Sequence, residues 1–145
     1  MDRNIALEAL NLATSPANTP AWDAAILALI SERGTRDALV RRVANMEAAE
    51  RNAFLHALDS FKERNMLIVV SLDFYTNLLC VMATLAYIEG DTDMAITYLN
   101  EGMGLHTGHK MSVRLWDVIQ ANVPHEMMLR GLAALDEEEC LAFAG

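Results

Sequence analysis

The sequence predicts an all-α protein, a compact bundle of about seven or eight helices around one central buried helix. Three observations lead there. First, between Asn77 and Ile88 the apolar residues Leu78, Leu79, Val81, Met82, Leu85 and Ile88 point in every direction around a helix. A helix apolar on all sides is buried on all sides. Second, Glu89-Gly90-Asp91-Thr92-Asp93 ends that helix and starts another: Gly90 takes the positive φ of a helix stop, and Asp91 or Thr92 caps the second helix. Third, apolar residues recur at helical spacing through most of the remaining chain.

In chain order, Asn4 to Thr14 reads as a short amphipathic helix carrying Ile5, Leu7, Leu10 and Leu12. Ser15-Pro16-Ala17-Asn18-Thr19-Pro20 breaks it, which leaves three places for residues 1–14: mobile, packed on a partner, or packed on their own chain. Thr19-Pro20 opens the next helix with a capping hydroxyl and a proline in the first turn. Its inner stripe is Trp22, Ala25, Ile26, Leu29 and Ile30. Arg33-Gly34 is read as its end and Thr35 as the cap of a third helix with Ala38, Leu39 and Val43 inside. Met46 to Lys62 is a fourth, with Phe54, Leu55, Leu58 and Phe61 on one side and Glu47 and Glu50 where the helix dipole favours them.

Met66-Leu67-Ile68-Val69-Val70 reads equally as a short extended piece or as helix. Residues 66–88 are apolar enough to be weighed as a membrane span. Ser71, Asp73, Thr76, Asn77 and Thr84, with the hairpin partner beyond them, argue against one. Asp73 is taken as the cap of the central helix. Beyond the hairpin, Lys110 to Val123 forms a helix with Val113, Trp116, Val118 and Ile119 inward and Pro124 closing it. His125 to Leu132 and Asp136 to Phe143 make a last short pair.

Residues 76–109 resemble one tetratricopeptide repeat, a roughly 34-residue helix–turn–helix unit. Ala83, Gly90-Asp91, Ala95 and Gly102 match its small and turn positions, and Tyr98-Leu99 its bulky pair. Leu79 stands where that repeat has Trp, and Thr107 where it has the closing Pro. One unit alone does not make a solenoid. The chain is also similar to the helical C-terminal region of an uncharacterised actinobacterial and actinophage family. The similarity runs through Arg36-Asp37-Ala38-Leu39, Ala86 to Asp91, Ala95 to Leu105, Val113-Arg114-Leu115 and Ala121-Asn122-Val123-Pro124. It implies a helical fold of bacterial or phage origin and brings no activity with it.

With 145 residues, the chain is read as one domain. Eleven basic against 20 acidic residues give a net charge of −9, which argues against binding nucleic acid or an anionic membrane. Cys80 and Cys140 are too few for a disulfide framework, and no signal peptide is visible, so a reduced, cytoplasmic setting is expected.

The chemistry of catalysis is sparse. His106 and His109 have the spacing of a zinc pair but no third ligand near them in sequence, so no metal and no cofactor is expected. Cys140 comes after three glutamates, which raise a thiol pKa. No phosphate-binding glycine loop, nucleophile elbow or zinc-protease motif is present, and no catalytic residue is assigned. The functional expectation is therefore a non-enzymatic module that binds another protein, with self-association open. The contact residues expected are Ile5, Leu7 and Leu10 on the first helix and Tyr87 and Tyr98 on the hairpin. An acidic inhibitor that mimics the charge of DNA and a small enzyme using Asp73 or the histidines are the competing classes.

Overall fold

The computed structural model describes residues 1–65 and 71–142. The described residues form nine helices and no strand: α1 (Arg3–Ala13), α2 (Pro20–Ser31), α3 (Arg33–Ala44), α4 (Ala48–Asn65), α5 (Leu72–Ile88), α6 (Thr92–Leu105), α7 (Lys110–Gln120), α8 (His125–Ala133) and α9 (Glu137–Ala142). The all-α class expected from sequence is what the chain adopts, with one helix more than the upper count expected. The two readings of Met66 to Val70 lie outside the described residues. Among the described residues no helix is long and apolar enough to cross a membrane.

α5 is the centre, and every residue from Leu78 to Ile88 is buried. α2, α3, α4, α6, α7 and α8 all pack on it. Its polar residues are accommodated by back-bonding: the Thr76 hydroxyl donates to the Leu72 carbonyl and that of Thr84 to the Cys80 carbonyl, each at 2.8 Å. A hydroxyl satisfied within its own helix carries little penalty on burial. The helix begins at Leu72, earlier than Asn77, and its cap is Ser71, whose hydroxyl accepts from the Phe74 amide at 3.0 Å. Asp73 is not the cap and not buried; its side chain is 86% exposed.

The hairpin of α5 and α6 is built on small residues. Ala83 and Ala95 are fully buried, and a Cβ placed on Gly102 would lie 3.5 Å from Leu79 Cβ, so two backbones approach closely there. Gly90 has φ +84°, the left-handed conformation that ends α5, and Asp91 caps α6 by accepting from the Met94 amide at 3.1 Å. The face an open repeat would present to a ligand is covered by α2, α3 and α4.

Two apolar clusters result. The larger runs from α1 through α5 and takes in Leu141 of α9. Within it Trp22 meets Phe54 and Phe61 edge-on at 6.2 and 6.3 Å, and Phe61 meets Phe74 at 6.2 Å, joining α2, α4 and α5. Such pairs add roughly 0.5–1.5 kcal/mol each beyond their buried area. The smaller cluster joins Ala83, Ala86 and Tyr87 to Ala95, Leu99, Leu115 and Ile119.

One local question is answered and several expectations are corrected. α1 packs on its own chain: Ala6, Leu10 and Ala13 are buried, and the Trp22 indole N–H donates to the Ala13 carbonyl at 2.9 Å. Gly34 lies inside the first turn of α3, and Thr35 is no cap; its buried hydroxyl donates to the Leu29 carbonyl at 2.7 Å. On α7 Ile119 is buried as expected and Trp116 and Val118 are half-buried, but the inner stripe runs through Ser112 and Leu115, and Val113 is 38% exposed. Leu55, expected inside α4, is only half-buried. Pro124 stands at the start of α8 rather than the end of α7.

The two hairpin glycines are expected to separate in urea unfolding. Gly90→Ala places a side chain in a left-handed conformation and should cost about 1 kcal/mol. Gly102→Ala adds a methyl at ordinary contact distance inside a helix and should gain ~0.5–1 kcal/mol. Equal losses for the two would contradict a helix crossing that is close-packed but relaxed.

Candidate anion-binding site

The start of α3, the first turns of α5 and the start of α7 meet around Asn77. Its amide N–H donates to the Ile30 carbonyl at 3.2 Å, which leaves the side-chain oxygen to accept twice. One donor is Nη1 of Arg36, at 3.1 Å; the other is Nε2 of His109, at 2.6 Å. That oxygen can only accept, so His109 carries its proton on Nε2. Its Nδ1 is then the acceptor, taking the Ser112 hydroxyl at 2.8 Å and the Ser112 backbone N–H at 3.2 Å, and so caps α7. A single amide side chain thereby ties α5 to α2, α3 and the start of α7.

Above this network lies a surface pocket of about 210 Å³ lined by Arg33, Arg36, Asp37, His109, Lys110, Met111 and Arg114. Four cationic side chains face one carboxylate. Arg36 forms the buried part, 8% exposed, and its Nε is held by Asp37 at 3.3 Å. With Nε on Asp37 and Nη1 on Asn77, Nη2 hydrogen-bonds to no described residue. Arg33, Lys110 and Arg114 are exposed around it.

The charges sit against the local field. Arg33 is the first residue of α3, Lys110 the first of α7, and neither helix has an acid in its first turn. A helix N-terminus carries about half a positive charge, so cations there are unfavourable and anions favourable. Lys110 and Arg114 are four apart on one helix, a like-charge spacing that costs a further few tenths of a kcal/mol. Glu32 precedes α3 without a side-chain cap bond, so nothing on its own side chain occupies the amides that open that helix. A chain with 20 acids to 11 bases has carboxylates to spare, yet Lys110 and Arg114 pair with none among the described residues.

Burial holds the His109 imidazole below the ordinary value of 6.5, with the Arg36 charge and His106 acting in the same direction and Asp73 against them. Cys80, beneath the network, is pushed up to about 11 by burial, which outweighs the lowering by its hydrogen bond to Ser112. It is a packed thiol, not a nucleophile.

The other expected site residues are placed elsewhere or otherwise engaged. His106 and His109 stack edge-on at 5.8 Å, but both ring nitrogens of His109 are taken by Asn77 and Ser112. Among the described residues no three His, Cys, Asp or Glu side chains are grouped to hold a metal. Cys140 is raised mainly by burial and next by Asp37; of the residues before it, Asp136 and Glu137 act more weakly.

Ile5 is 58% exposed, while Leu7 and Tyr98 are half-buried. Leu10 and Tyr87 are not surface at all. Leu10 is fully buried, and Tyr87 is 5% exposed with its hydroxyl donating to the Val123 carbonyl. The contact surface expected at those two is core. The pocket residues Arg33, Arg36, Lys110 and Arg114 were not singled out from sequence. Only Lys110 carried a signal there, as a cation at the first position of an expected helix.

No family model, curated protein or solved structure matches this chain.

The His109 tautomer makes stability depend on pH. Folding lowers the His109 pKa, so the unfolded chain takes the proton first. Its contribution to stability is whole above pH 6.5 and is lost as the pH falls through that value towards the folded one. Asn at position 109 still caps a helix but cannot charge. Between about pH 7.5 and about pH 5.5, above the range where carboxylates titrate, wild-type Tm should fall more than that of His109→Asn. Equal slopes would show that His109 accepts the proton without penalty.

Proposed function

We propose that this protein is a non-enzymatic binding module that engages another protein by taking an acidic group of its partner into the Arg33–Arg36–Lys110–Arg114 pocket. The observation that carries the reading is the pair of unpaired cations, Lys110 and Arg114, standing over a buried arginine at two helix N-termini in a chain of net charge −9. An arrangement unfavourable to the free protein becomes favourable when an anion is bound. The resemblance of α5 and α6 to a protein-binding repeat points the same way, though the covered hairpin face moves the contact to the outside of the bundle.

Charge mimicry of DNA finds less support. Glu89, Asp23, Glu137 and Glu138 are each turned back onto an arginine of the chain itself, Arg51, Arg64, Arg42 and Arg3. An enzyme built on Asp73 and the histidines would need Asp73 in a pocket and a free His109 nitrogen. Asp73 is exposed, and His109 is committed to Asn77 and Ser112.

The test is affinity capture with wild type and with the double variant Lys110→Glu/Arg114→Glu, whose altered side chains lie at the rim. Wild type should retain a partner at about 0.1 M salt and release it near 1 M, as the Debye length falls from about 10 Å to about 3 Å. The double variant should not retain it. A partner held equally by both proteins would move the contact away from the pocket and refute the reading.

A further inference from the structure

Resting on the proposed docking function, we infer that the acidic group recognised by this pocket is a phosphate group, held between Arg36 on one wall and Lys110 and Arg114 on the other. Charge is the first argument. Arg36, Lys110 and Arg114 against Asp37 leave two positive charges facing the ligand, before the two helix N-termini are counted. A carboxylate neutralises one of these and a phosphate monoester up to two.

Shape is the second. A carboxylate offers two oxygens in one plane, which suits a single fork. The donors here stand on two different helices, and a tetrahedral group with three free oxygens can meet both walls at once. Size is the third. About 210 Å³ is below the roughly 300–1,000 Å³ that enclose a drug-sized molecule. The pocket therefore fits a headgroup whose carrier remains outside.

The site is built before the ligand arrives. Nε and Nη1 of Arg36 are fixed by Asp37 and Asn77, and Asn77 is itself fixed by the Ile30 carbonyl. The guanidinium thus presents Nη2 without further loss of side-chain freedom, which is the advantage of a preorganised donor. His109 contributes position rather than charge: neutral and bonded to Asn77, it sets the first residues of α7, and with them Lys110, at the rim.

The experiment uses the whole chain, ¹⁵N-labelled, titrated separately with inorganic phosphate, N-acetyl-phosphoserine amide and N-acetyl-glutamate amide at low salt. Saturable amide shifts at Arg36, Lys110 and Arg114 are expected with phosphate ligands, on the order of tenfold tighter than with the glutamate compound. Lys110→Glu/Arg114→Glu should abolish them while keeping the wild-type circular dichroism; should that protein misfold, Arg114→Gln alone should weaken them. Tighter binding of the phosphoserine compound supports a modified side chain as the source. Equal or tighter binding of inorganic phosphate supports the free ion; both keep the phosphate chemistry. Equal binding of the glutamate compound overturns the inference and leaves the docking function standing. Absence of shifts with every ligand also overturns it, and the capture experiment then decides the docking function separately.

Discussion

Complete burial of α5 between Leu78 and Ile88 is the constraint from which the rest of the architecture derives. A helix without a wet face requires neighbours on every side, and six helices supply them. Where α6 packs, Ala83, Ala95 and Gly102 allow close approach; between α2 and α4, the larger residues Trp22, Phe54 and Phe61 fill the core. Even the end of α7 is tied to this centre, since the Tyr87 hydroxyl reaches the Val123 carbonyl. Loss of that bond would leave a part-buried carbonyl without its partner.

Burial of this kind is legible in a sequence because it depends on composition around the whole helix. Residues 78–88 needed no assignment of faces, and the turn at Gly90-Asp91 is dictated by backbone geometry that few residues accept. Faces were harder where a helix is amphipathic. On α7 the buried stripe includes Ser112, because a hydroxyl engaged by His109 can be buried, and one-position shifts of this sort come from tertiary partners that periodicity does not contain. Ser71 stands as the cap in place of Asp73: either side chain suits such a position, and sequence alone does not choose between them.

The pocket was illegible for a different reason. Arg36 and Lys110 are far apart in sequence, and each alone is an ordinary surface cation. Asn77 joins them: it sits one residue before the fully buried stretch of α5 and is the last position there able to serve both a neighbouring arginine and a neighbouring histidine. An amide at the edge of an apolar run reads as a mere interruption of hydrophobicity. In the fold it is the junction that turns the start of α7 towards the start of α3. The residues expected to touch a partner were chosen as apolar and aromatic, and two of the five, Leu10 and Tyr87, proved to be structural for that very quality.

The closing helices bear on how the chain reaches this state. α3 is completed by α8 and α9: Arg41 donates to the Leu135 carbonyl at 2.6 Å and Arg42 to Glu137 at 2.5 Å, across 94 and 95 residues of sequence. Leu129, Leu132 and Leu141 cover the same core from that side. During synthesis at roughly 5–20 residues per second, the early helices therefore wait on the order of ten seconds with that apolar face uncovered. Local helix formation is far faster than this. Any state of the chain in which α8 and α9 are not docked therefore leaves an apolar face uncovered, and uncovered apolar surface of this kind favours aggregation.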